Sequence, residues 1–205
     1  MPRSTVARVD LDALRHNYRL AQARAGGARA MAVVKADGYG HGIVNVARAL
    51  AGEVEKFAVA CIEEALAIRS VGLGQPVVLL QGVHTPDDLR DCVQHGFEPV
   101  MHCHGQLDWL AAGPNPRFWL KVNSGMNRLG FRPEELDSVV AALGPSATAG
   151  PLLGFVTHFA CADDLTSGMT DHQTRLFENA TAAWPALMRS VGNSAAHFRP
   201  GQSLY

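Results

Sequence analysis

Short apolar runs, separated by helical patterns, recur along the whole chain and constrain its fold more than any other feature. We interpret eight of them as strands, at residues 30–34, 57–60, 77–80, 98–101, 118–122, 153–157, about 191–193, and 201–205. Regular alternation of strand and helix favours parallel βαβ units. The count of eight predicts an α/β fold of the (β/α)8 TIM-barrel type, truncated at or near its eighth strand.

The first residues carry two further expected elements. A leading strand is expected within residues 1–10, near 6–10, and an amphipathic helix is expected over 11–24, ended by Gly26 and Gly27. Helix-start signals also occur at Thr85, where proline follows, and at Thr170, where Gln173 completes the pattern of a capping box. Both signals predict that a helix begins there.

Length and charge restrict the possible functions. The 205 residues, 47% hydrophobic and 18% charged, predict a single domain over 1–205 with one core. A formal net charge of -1, without basic clusters, argues against nucleic acid and favours a small-molecule partner.

We expect a cytosolic protein, since no signal-peptide pattern or membrane-length apolar run is present. Its four cysteines are widely spaced and fit reduced thiols, and we expect no metal site.

Polar residues follow several of the predicted strands. Lys35 follows the first strand, Lys121 ends the fifth, His158 follows the sixth, and Asn193 and Ser194 follow the seventh. Active sites of barrels of this type lie at the carboxyl ends of the strands. These residues are therefore the candidate site.

Lys35 lies in the run Val-Val-Lys-Ala-Asp-Gly-Tyr-Gly-His-Gly, over 33–42. A single amine with apolar flanks at a strand end suits imine formation with a carbonyl compound. The glycines allow the backbone to approach a ligand closely, and the hydroxyl of Tyr39 can reach a phosphate. The alternative is a lysine that extends to solvent over a glycine-rich turn.

The whole run over 33–42 closely resembles the pyridoxal-phosphate attachment motif of the alanine racemases. The resemblance implies pyridoxal 5'-phosphate as cofactor, held covalently by Lys35. It also implies that Tyr39 contacts the phosphate of the cofactor. The motif is long, so the match does not depend on one or two positions.

A second segment, over 119–130, resembles the racemase segment in which an arginine hydrogen-bonds the phenolate oxygen of the cofactor. That role falls to Arg128, whose planar guanidinium stays protonated. Lys121 matches a lysine that is often carbamylated and braces this arginine, while Asn123 stands where many relatives have aspartate. His158, in Thr-His-Phe-Ala over 157–160, matches the histidine that stacks on the pyridine ring.

The end of the chain resembles two further racemase elements, an Asn-Ser pair and an Arg-Pro-Gly-x-x-Leu-Tyr strand. The resemblance assigns cofactor-binding positions to five residues there: Asn193, Ser194, Arg199, Gly201 and Gln202. Ser194 and Gly201 would contact the phosphate, and Arg199 would bond the pyridine nitrogen. An arginine there leaves that nitrogen unprotonated, which favours proton removal and return over transamination.

Two departures from the family are visible. Only residues 195–198 separate the Asn-Ser pair from Arg199, about ten fewer than the family has. Parallel strands usually need a crossover of about a dozen residues or more. The short connection therefore predicts a missing loop or unusual packing of the last strands. The resemblance also implies a C-terminal β-domain, which we expect residues 1–205 not to include. That domain supplies the partner subunit with the tyrosine that acts as the second base, so the chain alone is expected to be inactive.

The resemblance therefore implies an isomerase that interconverts L-alanine and D-alanine for cell-wall peptidoglycan, as a homodimer when full length. Lys35, Arg128 and His158 would be its catalytic residues. Two alternatives stay open. One is a single-domain, non-catalytic pyridoxal-phosphate-binding protein of the same barrel type. The other is a related barrel amino-acid decarboxylase, which normally places a carboxylate rather than an arginine beside the pyridine nitrogen.

Overall fold

Seven parallel strands, hydrogen-bonded in the order in which they occur in the chain, form the framework of the molecule. The computed structural model describes residues 5–144, 147, 151–199 and 201–202. Its strands are β1 Ala32–Val33, β2 Phe57–Val59, β3 Val77–Leu79, β4 Phe97–Met101, β5 Phe118–Lys121, β6 Leu152–Val156 and β7 Met188–Ser190. The sheet curls into an open barrel, and the predicted fold class is confirmed.

Helices cover the outer face of this sheet. They are α1 Leu11–Arg24, α2 Ile43–Leu50, α3 Ile62–Ser70, α4 Asp88–His95, α5 His104–Ala112, α6 Leu136–Leu143 and α7 Met169–Thr181, with short 3₁₀ helices at Pro133–Glu135 and Ser194–Phe198. The predicted helix over 11–24 is confirmed, and the Asp10 carboxylate caps it by accepting from the backbone N–H groups of Asp12 and Ala13.

Side chains alternate between two cores along the strands, as the pleat requires. The inner cluster fills the barrel with Ala58, Val78, Val100, Trp119, Leu153 and Val156. The outer cluster packs the other strand faces against the helices, with Phe57, Phe97 and Phe155 at most 1% exposed. Full burial of one such side chain contributes roughly 1.5–3 kcal/mol. Because the strands are buried on both faces, their sequences are continuous apolar runs rather than alternating patterns.

A buried ion pair lies near the amino ends of the strands. Glu98, 2% exposed, accepts from the ammonium of Lys56 at 2.5 Å and from the indole N–H of Trp119 at 3.1 Å. These two donors supply the hydrogen-bond partners that the buried carboxylate of Glu98 needs inside the barrel. It belongs to the end opposite the one that carries the candidate site.

Three of the predicted strand positions differ from the structure. The seventh strand is Met188–Ser190, a few residues earlier than the apolar cue at Val191 suggested, because its register is set by the pairing of Gly154 with Met188. Residues 5–10 pair with no strand of the described chain, and Val6 is 84% exposed. Gly201 and Gln202 lie in no strand, while 203–205, the rest of the predicted eighth strand, fall outside the described residues.

The two helix-start signals have different outcomes. Thr85 does precede a helix: its hydroxyl accepts from the N–H of Asp88, whose carboxylate accepts from the N–H of Thr85. Near Thr170 a helix does begin, one residue earlier at Met169, but the capping box is wrong, because Gln173 bonds Ala160 instead. Within the described residues, no helix has the length and apolar character needed to cross a membrane.

Candidate active site

Lys35 comes directly after β1, where the N–H of Val34 still bonds the carbonyl of Ala58 at 2.8 Å. From there the backbone makes a left-handed turn, Lys35–Tyr39, with φ of 51° at Ala36, 52° at Asp37, 63° at Gly38 and 54° at Tyr39. A left-handed conformation costs about 1–2 kcal/mol for each residue other than glycine. Strain of this kind persists only where the surrounding structure fixes it.

The far end of this turn is fastened to α2. The carboxylate of Asp37 accepts from the N–H of Ile43 at 2.7 Å, and the carbonyl of Asp37 accepts from the N–H of Gly42 at 2.9 Å. Gly38 lies against α2, because a Cβ there would come within 3.1 Å of a methyl group of Val46. Tyr39 is 58% exposed, so its ring stands free of the core.

The loop after β5 returns to the strand that it leaves. The carbonyl of Lys121 accepts from the N–H of Phe131 at 2.9 Å, and the N–H of Asn123 bonds the carbonyl of Phe131 at 2.8 Å. Within the loop, Asn123 accepts from the N–H groups of Gly125 at 3.2 Å and Asn127 at 2.9 Å. The amide that replaces the family's aspartate therefore caps the loop that carries Arg128.

Lys121 is held in a desolvated position beside Arg128. Burial, with a smaller contribution from the positive charge of Arg128, lowers the pKa of Lys121 to about 8. Gly130 makes this packing possible: a Cβ there would lie 2.8 Å from Cγ of Lys121 and 2.9 Å from its carbonyl oxygen. Roughly a tenth of Lys121 is consequently a neutral amine at pH 7, a far larger fraction than for a lysine with the ordinary pKa.

His158, after β6, is surrounded by positive charge. Its pKa is lowered to about 4, first by burial and then by the charges of Lys121, Arg128 and Lys35. Lys35 follows β1, Lys121 ends β5 and His158 follows β6, so these charges act across the carboxyl ends of three strands. The barrel interpretation predicts that these ends lie together. His158 and Arg128 also line one small cleft with Lys121. The imidazole is neutral at neutral pH, and the charged groups that depress its pKa are all cations.

A buried hydrogen-bond network behind this cluster was not expected from the sequence. The amide of Gln173 in α7 accepts from the N–H of Ala160 at 2.9 Å and donates to the carbonyl of His158 at 3.0 Å and to the hydroxyl of Ser124 at 3.3 Å. Ser124 in turn lies 2.7 Å from the hydroxyl of Thr157. The one usable signal was a glutamine on the apolar face of a helix, which the sequence interpretation assigned to a capping box.

Asn193 and Ser194 follow β7 as expected. The side chain of Asn193 donates to the carbonyl of Phe159 at 3.4 Å and accepts from the N–H of Ala196 at 3.1 Å. It thus joins the end of β7 to the segment that follows His158. Ser194 begins the 3₁₀ helix and is exposed.

The structure does not bring Arg199 and Gln202 to this cluster. The guanidinium of Arg199 donates to the carbonyls of Asp164 at 3.1 Å and Ser167 at 3.2 Å, and Gln202 donates to the hydroxyl of Thr174 in α7 at 3.2 Å. The backbone explains this placement, since the N–H groups of Arg199 and Gln202 make turn-type bonds three residues back. Gly201 lies in that turn, with φ of 71°.

The residues that do assemble fit an anionic cofactor with a reactive carbonyl. Lys35 offers an amine, Lys121 and Arg128 offer positive charge, and His158 offers a neutral aromatic ring. Pyridoxal phosphate has the matching groups: an aldehyde, a phenolate, a phosphate and an aromatic ring. Among the described residues, no group of three histidine, cysteine, aspartate or glutamate side chains could hold a metal ion.

Sequence comparisons identify a family. The model of "Alanine racemase, N-terminal domain" matches residues 9–205. The chain is 67% identical to an alanine racemase of Marinobacter nauticus over 205 residues, which cover all of this chain and 57% of that protein. It is 47% identical to an alanine racemase of an Azoarcus species, over 99% of this chain and 60% of that protein. The chain thus spans little more than half the length of these relatives.

The Marinobacter nauticus alignment also bears on the short connection after Ser194. Because that alignment is no longer than the chain itself, the relative has no additional segment between Ser194 and Arg199. The alignment with the Azoarcus relative, 216 residues long over 99% of this chain, does contain residues that this chain lacks, so the relatives differ in length within the aligned region. The backbone hydrogen bonds of Arg199 and Gln202 place these two residues in the connection that follows β7.

Solved structures agree with the sequence comparisons. The biosynthetic alanine racemase from Pseudomonas aeruginosa superposes with a TM-score of 0.88 at 36% identity, over 96% of this chain and 55% of that one. The alanine racemase from a D-cycloserine-producing Streptomyces lavendulae gives a TM-score of 0.86 at 29% identity, over 98% of this chain and 57% of that one.

Proposed function

Because this chain belongs to the alanine racemase family, through the N-terminal domain of that family, we propose that it is the pyridoxal-phosphate-binding part of an enzyme that interconverts L-alanine and D-alanine. The observation that carries the proposal is the cleft at the carboxyl ends of β5 and β6 that Lys121, Arg128 and His158 line together, with Lys35 following β1 at the same end of the sheet. This cluster supplies an amine, a guanidinium and an aromatic ring at one site, with Lys121 beside them.

Lys35 is the residue that holds the cofactor and moves the proton. Pyridoxal phosphate, when bound, withdraws electrons from an attached amino acid and so acidifies its α-hydrogen. The amine of Lys35 would take or return that proton on one face. The left-handed turn fixes where this amine starts, because it sets the direction in which the backbone leaves β1.

Arg128 and Lys121 act as a pair in this proposal. Arg128 donates to the phenolate oxygen of the cofactor, and Lys121, when carbamylated, gives Arg128 an anionic partner. Carbamylation joins a neutral amine to carbon dioxide and releases one proton. The lowered pKa of Lys121 provides that neutral amine.

His158, Tyr39, Asn193 and Ser194 bind the remainder of the cofactor. The His158 ring is neutral, so it can lie against the pyridine ring without adding charge. Tyr39 and Ser194 are exposed and carry hydroxyls suited to a phosphate, while Asn193 holds the backbone beside them. Roles for Arg199, Gly201 and Gln202 rest on the resemblance alone, since their hydrogen bonds and turn lie toward α7.

Racemisation requires a second acid-base group on the opposite face, because a single base returns the proton to the side from which it came. Within residues 5–199 we assign no residue to that role, and we attribute it to the remainder of the full-length enzyme, acting as a homodimer. The supply of D-alanine for peptidoglycan in the cytosol completes the proposal.

The test is a chimera in which residues 1–205 continue into the part of the Marinobacter nauticus relative that the alignment leaves uncovered. D-alanine formation from L-alanine is measured by chiral chromatography. We expect turnover by the chimera, none by its Lys35→Ala variant, and turnover by the 205-residue chain lower by roughly 10²- to 10⁴-fold. Carbon dioxide release without D-alanine would support the decarboxylase alternative. Equal turnover by the short chain would show that a second base lies within it.

A further inference from the structure

Glu64, in the first turn of α3, bonds the backbone at the ends of two neighbouring strands. One carboxylate oxygen accepts from the N–H of Ala36 at 2.6 Å, and the other accepts from the N–H of Ala60 at 2.8 Å. We propose that Glu64 is a positioning residue that holds the left-handed turn after Lys35 and thereby directs the lysine amine. This inference rests on the function proposed for Lys35.

The two N–H groups lose their sheet partners at this point. The ladder between β1 and β2 pairs Ala32 with Phe57 and Val33 with Ala58, and its last bond joins Val34 to Ala58. Beyond it, the N–H groups of Ala36 and Ala60 need other acceptors. A carboxylate has two oxygens and accepts one bond with each, so the single side chain of Glu64 replaces the missing ladder.

The turn requires such a restraint at its start. Ala36 is its first residue with positive φ, at 51°, and it carries a Cβ, unlike glycine. Asp37 and Gly42 fasten the far end of the turn to α2. Glu64 fastens the near end, one residue after Lys35. Without this bond the backbone at Ala36 can relax toward an ordinary negative φ, which would change the direction of the adjacent lysine side chain.

The geometry makes Glu64→Gln an informative variant. The two N–H groups bond different oxygens of Glu64, so in the amide variant an NH₂ group replaces one of these acceptors and faces its donor. Glu63→Gln is the matched control. Glu63 lies in the same first turn of α3 and is exposed, and its carboxylate bonds the thiol of Cys61. Both variants remove one negative charge from the same end of α3, so any effect of that charge through the helix dipole is expected to be equal in the two variants.

Two measurements on the 205-residue chain separate the local claim from the functional one. The first is amide hydrogen exchange of Ala36 and Ala60 without cofactor, with the core amides of β3 as internal reference. The second is the rate of imine formation with added pyridoxal phosphate, followed by absorbance well below the melting temperature.

We expect Glu64→Gln to accelerate exchange of Ala36 at least about tenfold, because a charge-assisted hydrogen bond is lost. We also expect imine formation to slow by a similar factor, while Glu63→Gln matches the wild type in both.

Two results would overturn the positioning role. Equal exchange of both Ala36 and Ala60 in the two variants would show that Glu64 does not hold the turn. Faster exchange with an unchanged rate of imine formation would show that it holds the backbone without directing Lys35. Absence of any Lys35 adduct in the wild type would instead reject the proposed function of Lys35, and the exchange comparison would still decide whether Glu64 restrains the turn.

Discussion

The side-chain amide of Gln173 donates to the backbone carbonyl of His158 at 3.0 Å, and thereby ties α7 to the segment that carries the candidate ring-stacking residue. The same amide bonds Ala160 and Ser124, so one fully buried side chain spans the ends of β5 and β6. Gln173 is therefore expected to support the site without contacting a ligand.

Gln173→Glu should destabilise the chain by about 1–3 kcal/mol, the cost of leaving buried polar groups unpaired. A carboxylate can still accept from the N–H of Ala160, but it cannot donate to the carbonyl of His158 or to the hydroxyl of Ser124. Urea unfolding measures the change. The control is Gln94→Glu, at an exposed position of α4. Equal stability of the two variants would contradict the network.

The ring of His158 should titrate with a pKa of about 4, in NMR spectra recorded against pH. Its pKa in the folded chain lies below the ordinary histidine value of 6.5, so the unfolded chain binds the proton more readily. Its contribution to stability is accordingly complete above about pH 6.5 and is lost as the pH falls from there toward 4. An unshifted pKa would mean that the ring is solvated.

Removal of the neighbouring cations should raise the pKa of His158. Lys121→Met and Lys35→Met each delete one positive charge that acts on the ring, and Lys121 has the larger effect of the two. We expect the pKa to rise more in Lys121→Met than in Lys35→Met. The reverse order, or no change in either variant, would refute the arrangement of charges around His158.

Lys121 should form a carbamate when the chain is incubated with ¹³C-bicarbonate, because burial lowers the pKa of its amine to about 8. A carbamate carbon resonance is the measurement. The signal should be absent in Lys121→Met and should persist in Lys35→Met, which keeps the same number of lysines. Persistence of the signal in Lys121→Met would assign the carbamate to another amine.

Gly130→Ala should destabilise the chain more than Gly72→Ala. Both glycines have positive φ, 116° and 80°, but only a Cβ at 130 would meet other atoms, at 2.8 Å from Cγ of Lys121. Overpacking of this kind costs roughly 1–3 kcal/mol beyond the backbone strain. Thermal unfolding of the two variants gives the difference, and equal melting temperatures would show that the Lys121 side chain moves away freely.

The sequence predicted the parts of the fold and site that local patterns determine. The apolar runs located six strands closely, and the motifs placed Lys35, Lys121 and His158 at strand ends that the structure brings together. The left-handed turn was not predicted, because Ala36 and Asp37 do not indicate positive φ. It depends on Glu64, which is distant in sequence.

The end of the chain shows why motif matching alone was insufficient. The eighth strand was predicted over 201–205, of which the structure describes only Gly201 and Gln202; there the backbone turns, and Arg199 before it bonds Asp164 and Ser167. A strand is defined by pairing with a neighbour, which a short string of letters does not specify. Gln173 was assigned to a capping box for a similar reason, since its partners lie on other elements.

The most direct test of the central claim is to locate the cofactor on the chain. The 205-residue chain is incubated with pyridoxal phosphate and reduced with borohydride, and its peptides are mapped by mass spectrometry. The three lysines available are Lys35, Lys56 and Lys121. We predict a reduced adduct on the peptide that contains Lys35, and loss of that adduct in Lys35→Ala. An adduct on Lys56 or Lys121 in preference to Lys35, or one that survives in Lys35→Ala, would contradict the account.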